Sequence, residues 1–490
     1  MKIILTGLLG LIVLSSCSQD DKTLTEKTVN QESIKKHIYY LADDAFVGRE
    51  TGTKELKKAA AYLSNQFKAY GLQPNPQSGN YYQEVTLSQS APPELTTVEL
   101  NGKNISDFVV LSGAKVDSKE AVFLGFGLES DYDGIDVTNK LVITKAGNQD
   151  ANDTRSAYGL REAKRILAEQ NGASGLIELL NAKEQMWSFL LDNFNRKSIR
   201  PKDPKASTSN DFAYIWVFDE NAEMASNLES NGLQSASLQM SGASEKDIIS
   251  YNVVGIVEGY DPELKDEYVI YSAHYDHVGI GTPDVKGDSI YNGARDNAVG
   301  TTTVLSMAEN LAKYPTKRSA LFILFTAEEK GLLGSRYYVE NPILPLNQMV
   351  YCFNSDNGGY NDTSLATIVG LSRTTAEQHI IRAADSFGLK AIDDPAGEQG
   401  LFDRSDNVNF ARKGIPSPTY SLGFSAFDEE IMKYYHRPGD QANNLNYDYL
   451  DKFFKSYVYA GRLIGNDPNT PRWTTGDKYE EAANQLYKSE

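Results

Sequence analysis

The sequence predicts an α/β protein with a largely parallel central sheet, interrupted by an inserted module of different character. Three observations carry that expectation. First, apolar strand-like runs at 251–257, 268–273, 319–326 and 348–353 alternate with helix-period segments at 299–313 and 331–340. Such alternation buries a sheet between helices and joins parallel neighbours. Second, strand candidates at 364–370 and 417–422 and helices at 374–387 and 449–464 continue the rhythm. Third, the composition shifts at Pro92-Pro93, and short strand patterns without that rhythm run to about Asp247.

Taken in order, the chain opens MKIILTGLLGLIVLSSCSQDD, with Lys2, a short apolar run and small residues before Cys17. The run is too short to span a bilayer, and the pattern is that of a secretory signal. Leu14-Ser-Ser-Cys17 resembles a lipobox, in which Cys17 becomes the lipidated first residue of the mature protein. Ser18 after it favours the outer membrane of the cell envelope. Residues 1–17 are thus expected to be a lipoprotein signal and 18–32 a polar tether. Once Cys17 is acylated, Cys352 has no partner, so the fold must rest on its core rather than on a disulfide. The 490 residues are enough for two domains. With 48 Lys and Arg against 66 Asp and Glu, the net charge of −18 argues against nucleic acid and against a basic grip on anionic lipid. Membrane contact is expected only through the lipid.

Residues 33–92 read as two amphipathic helices flanking the loop Phe46-Val-Gly-Arg-Glu-Thr-Gly-Thr53, the second helix stopping at Gly71. His37, on the first helix, has no acidic neighbour at metal spacing and reads as structural. Residues 93–248 are expected to be the inserted module, with strands near 97–100, 108–111, 121–126 and 141–144 and a helix over 162–170. The module contains no histidine, and no chemistry is expected from it. Residues 249–466 form the alternating α/β domain, and 467–490 a C-terminal tail.

The chemistry collects at the ends of the alternating strands. Tyr268–Tyr271 runs into His274, Asp276 and His277; a Gly/Asp-rich loop then carries Asp296-Asn297. The carboxyl ends of strands are where an open α/β sheet presents its ligands. An imidazole with a carboxylate two residues on suits a metal, one group ligating and the other orienting it. The buried run 321–327 ends in Glu328-Glu329, whose side chains on an extended backbone point in opposite directions. The run 350–355 ends in Asp356, and His436 sits in the turn Tyr434-Tyr-His-Arg-Pro-Gly-Asp440.

The set AHYDH, NGARDN, FTAEEKGLLGS, NSD and YHRPGD resembles the M28 family of co-catalytic zinc peptidases, over about 249–466 and the helical segment carrying GRETGT. The resemblance implies a phosphorylase/hydrolase-like three-layer αβα sandwich with a mixed, mostly parallel sheet. The inserted block resembles, less sharply, a protease-associated (PA) β-rich domain. By motif, the resemblance implies two zinc ions per chain bridged by Asp296. His274 and Asp356 would complete one site, and Glu329 and His436 the other. Glu328 would be the general base and Asp276 would hold the His274 imidazole. His277 reads as a supporting residue, and His379 as structural. Arg404, in the loop Phe402–Asp406, and Tyr420 are candidate substrate contacts.

These implications make a metallo-aminopeptidase acting on peptides the first expectation. A carboxypeptidase or dipeptidase of the same family needs a cation for the substrate carboxylate, and Arg404 is available. Glutaminyl cyclization would use a similar ligand set with one zinc. A metal-free binding lipoprotein would show gaps among the ligands, and there are none.

Overall fold

The computed structural model describes residues 20–202 and 212–488, and the chain divides into two compact units, 86–248 and the remainder. The expected signal and lipobox at Cys17 lie outside the described residues.

In the larger unit lie seven neighbouring strands of one mixed sheet. They are β1 (Ser244–Val257), β2 (Tyr268–His274), β3 (Ser319–Phe325), β4 (Met349–Ser355), β5 (Leu365–Val369), β6 (Lys390–Ile392) and β7 (Thr419–Leu422). Their order is β6-β5-β7-β4-β2-β3-β1. The pairs β2/β3, β2/β4, β4/β7 and β5/β6 are parallel; β1/β3 and β5/β7 are antiparallel. Period-two alternation gives each face its own core. Val269, Tyr271 and Ala273 of β2 and Ala320, Phe322 and Leu324 of β3 face one side. Ile270, Leu321, Ile323 and Phe325 face the other.

On the first face lie α1 (Gln31–Leu41), α2 (Lys54–Tyr70), α3 (Gly300–Lys313), α5 (Glu377–Ser386) and α6 (Tyr447–Asn466), all contributing to one cluster. On the second, α4 (Leu333–Glu340) supplies Tyr338 and Val339 beside Phe410. The sheet is therefore sandwiched between helices. Cys352 is buried in β4, where burial raises its thiol to about 12. Among the described residues no helix is long and apolar enough to cross a membrane.

Three details differ from the sequence reading. The expected tether contains a helix, Asp21–Glu26, capped by Asp20, and Asp21 pairs with Arg462 of α6. The C-terminal tail is also packed: Arg373 donates to Asp477, and Trp473 Nε1 to the Gly414 carbonyl. The smaller unit starts at Thr86, because a strand over Tyr82–Ala91 runs on until the two prolines stop it. Beside a five-stranded and a four-stranded sheet that unit holds helices Thr154–Gln170, Glu184–Phe194 and Glu223–Asn231.

His37 is buried with Nδ1 2.7 Å from the Tyr62 hydroxyl and Nε2 3.2 Å from that of Tyr70. Burial, helped by Lys36, lowers its pKa from 6.5 to about 4. A depressed folded value means stability that is full above pH 6.5 and lost as pH falls toward 4. We predict an acid loss on the order of 3 kcal/mol from this residue. The excess loss of the native chain over His37→Gln, in denaturant titrations at pH 7 and pH 4, measures it; equal losses would refute it.

Candidate metal centre

Three strand ends and two turns converge on one cleft. His274 closes β2, and its carbonyl accepts a hydrogen bond from Thr301 of α3. Asp296 lies in the irregular turn Ala294–Val299, with a cis peptide to Asn297. Glu328 and Glu329 follow β3 but are not on an extended backbone: Ala327 has φ 57° and turns the chain. Asp356 follows β4, and Ser421 Oγ donates to its carbonyl. His436, at φ 51°, is held by stacking on Tyr435 at 4.1 Å.

The Asp296 carboxylate presents one oxygen to each of two groups. Oδ1 is 3.4 Å from His274 Nε2, which is 3.1 Å from Asp356 Oδ1. Oδ2 is 3.1 Å from His436 Nε2, which is 3.3 Å from Glu329 Oε1. All five residues given ligand roles by motif are thus brought together. Two further residues join them. His277 Nδ1 lies 2.7 Å from Glu329 Oε1, within ligand reach of Asp296 and His436, although it was read as a supporting residue. Its buried Nε2 has no hydrogen-bond partner. Glu328 groups with His274 and Asp356 at ligand spacing. The spacing of two histidines three residues apart in AHYDH was the available signal for His277. Gly293 (φ 57°) makes room for it, since a Cβ there would meet the imidazole Cδ2 at 2.6 Å.

Asp276 differs from its expected role. His274 Nδ1 is 3.1 Å from the Asp276 backbone carbonyl but 3.9 Å from its carboxylate. The carbonyl can therefore accept Nδ1–H and leave Nε2 free toward the cleft. The Asp276 carboxylate instead accepts the backbone N–H of Glu328 at 3.0 Å and, more weakly, that of Glu329 at 3.4 Å. Arg295 ties the Asp296 turn to the His436 turn: its Nη1 donates to Asp440 Oδ1 at 2.9 Å, and its guanidinium covers Tyr434 at 3.8 Å.

Of the candidate substrate contacts, Arg404 lines the cleft and Tyr420 does not. Tyr420 is fully buried, with its hydroxyl 2.6 Å from Ser456 Oγ of α6. Alternation along β7 gives Thr419 and Ser421 to the cleft and Tyr420 to the opposite face. The remaining wall is apolar, with Val369, Leu401, Phe424, Phe427, Ile431 and Tyr435. Asp406 sits buried near the centre, and burial lifts its carboxyl to about 7. The other histidines are elsewhere: His37 between two tyrosines, and His379 against Asp467.

The charges of this cluster call for cations. Burial alone would disfavour ionised Asp296, yet His274, His277 and His436 hold it well below the usual carboxylate range. Glu329, pressed upward by burial and Asp296, is brought to about 2 by His277 and His436. His436 is raised to about 10, against its burial, by Asp296 and Glu329. Glu328 goes the other way: burial, with Glu329 and Asp356 nearby, holds its proton. Imidazole nitrogens and carboxylate oxygens at this spacing are the donor types that zinc prefers. Asp296 reaches both groups.

The family model described as Peptidase family M28 matches residues 252–460. Aminopeptidase YwaD of Bacillus subtilis (strain 168) is 30% identical over 210 residues, 41% of this chain. The match spans only 42% of that relative's length. The solved aminopeptidase from Aneurinibacillus sp. strain AM-1 has a TM-score of 0.55 at 20% identity, covering 92% of this chain and 97% of its own. A zinc aminopeptidase from Bacillus subtilis has a TM-score of 0.50 at 22% identity, with the same coverage of both chains. Residues 252–460 therefore match Peptidase family M28, and the whole cluster from His274 to His436 lies within them.

Proposed function

We propose that this chain is a zinc-dependent aminopeptidase that removes N-terminal residues from peptides, using two ions that share Asp296. The observation that carries the reading is the Asp296 carboxylate, with one oxygen toward His274 and Asp356 and the other toward His436 and Glu329. When bound, zinc supplies positive charge and Lewis acidity for water activation and carbonyl polarisation. Glu328, grouped with His274 and Asp356, takes the proton of the attacking water and returns it to the leaving amine. Water adds to the carbonyl carbon, and the C–N bond then breaks as the leaving amine receives that proton. Acidic groups around the centre favour a substrate with a free ammonium, and the apolar wall suits an aliphatic or aromatic first side chain. The lipobox-like Leu14–Cys17 supports an envelope protein anchored through Cys17, on the outer membrane.

One feature favours a second reading. Arg404 is the only Lys or Arg among the residues lining the cleft, and a guanidinium there is suited to a substrate carboxylate. That chemistry belongs to a carboxypeptidase or dipeptidase.

The test uses the soluble chain begun after Cys17. Zinc per chain is measured, and hydrolysis of a leucyl chromogenic amide is compared with that of its N-acetylated form. We expect two zinc ions and cleavage of the free amine only. Cleavage of a leucyl dipeptide but of neither amide would favour the Arg404 reading. A chain that takes up no zinc when supplied with it would remove the peptidase reading.

A further inference from the structure

The loop Gly48–Thr51 touches every segment that bears a zinc-type ligand on the β2 and β3 side of the centre. Arg49 is fully buried, and its guanidinium donates to four backbone carbonyls. These are Tyr275 at 2.9 Å, Leu41 at 2.6 Å, Asn292 at 2.6 Å and Gly293 at 3.0 Å. Tyr275 lies next to His274, and Asn292-Gly293 lead into the Asp296 turn. The Arg49 carbonyl in turn accepts the N–H of His277 at 3.2 Å. Glu50 accepts from Lys330 Nζ at 3.0 Å, one residue beyond Glu329. Thr51 Oγ1 donates to Asp276 Oδ2 at 2.9 Å. The same carboxylate carries the N–H groups of Glu328 and Glu329.

Ordinary packing does not need this arrangement. Val47, Gly48 and Arg49 are three consecutive residues at positive φ, 48°, 69° and 49°. For Val and Arg that conformation costs on the order of 1 kcal/mol or more each. Gly48 has no alternative, since a Cβ would lie 2.3 Å from the Gly279 carbonyl oxygen. A buried guanidinium is also costly unless its donors are satisfied and opposite charge is near. Here its donors meet carbonyls, and Asp296 and Asp276 act on it from a distance. The strain and the buried charge are spent on the segments that carry the centre.

We propose that Arg49 and Thr51 are positioning residues of the zinc centre. In this clamp Arg49 fixes the His274–His277 and Asn292–Asp296 segments against each other. Thr51 orients Asp276, through which the backbone of the Glu328-Glu329 pair is set. Neither residue touches substrate; each acts through the ligands. The inference rests on the zinc-centre reading above and deepens it.

Thr51→Val tests it, because valine keeps the shape and removes only the hydroxyl. Asp276 Oδ2 then retains only the long contact with Glu329, and the turn holding both glutamates loosens. Disturbing partners behind metal ligands typically costs about 10–100-fold in metal affinity or activity. We expect zinc affinity, measured by chelator competition, and kcat on the leucyl amide to fall within that range. KM should stay within about twofold of the native value, and Thr51→Ser, which restores the hydroxyl, should recover both losses. Thr51→Ala gives the same ordering should the extra methyl not be accommodated. Native zinc affinity and kcat in a folded Thr51→Val chain, even one melting at lower temperature, would overturn the proposal. Chelator competition needs no substrate. A native chain that binds zinc but cuts no amide would count against the aminopeptidase reading, while the affinity ordering would still judge the clamp.

Discussion

Glu328→Gln should lower kcat on a leucyl amide by about 10²–10⁴-fold, the usual contribution of a general base, while zinc content stays at the native value. The substitution keeps the size of the side chain and removes its ability to take a proton. Burial, reinforced by Glu329 and Asp356, raises the proton affinity of Glu328, which is the direction a base needs near neutral pH. The native enzyme should therefore lose activity on the acid side, as Glu328 becomes protonated, and the variant should lack that limb. Glu328 also lies at ligand spacing from His274 and Asp356. Zinc analysis of the same variant separates the two roles. If zinc falls with activity, Glu328 ligates. If activity survives, its assignment as base is wrong.

Asp296→Asn should have the other large effect. Its carboxylate is the one group whose two oxygens face different histidines, at 3.4 and 3.1 Å. An amide presents one oxygen and one N–H₂, so one of the two groups then meets a donor where it had an acceptor. We expect loss of zinc from both positions and a fall in activity beyond the roughly 100-fold typical of disturbed outer partners. Asp356→Asn is the control, since Asp356 serves only the His274 group. It should weaken one ion and spare the other. An Asp296→Asn chain that still holds two zinc ions would exclude the bridge.

Six of the seven strands of the α/β domain were legible as largely apolar runs bounded by loops, and β2, β3 and β4 begin and end within two residues of their expected bounds; β6, three residues beginning with Lys390, was not. The residues of the cluster were legible because strand ends concentrate His and carboxylates in short motifs. What failed depended on direction or on distance. Tyr420 was read from its neighbourhood, but one step along a strand reverses a side chain. His277 and the carbonyl of Asp276 required the path of the loop after β2, which periodicity does not describe. The helix Asp21–Glu26 is polar in sequence and persists through contacts with α6, more than 400 residues away. The role of GRETGT was likewise invisible, since three of Arg49's four carbonyl partners lie 226 to 244 residues further along.

The order in which these groups leave the ribosome has a consequence of its own. Arg49 and Thr51 emerge first and wait through the whole insertion for the segments they hold. His436 emerges last, after every carboxylate of the centre. Long-range closures of this kind form late, because the intervening chain must be ordered first. A nascent chain that stops short of the His436 turn therefore has most of a zinc centre and no closed one. On the proposed function, hydrolytic competence would arrive only once the His436 turn has been made.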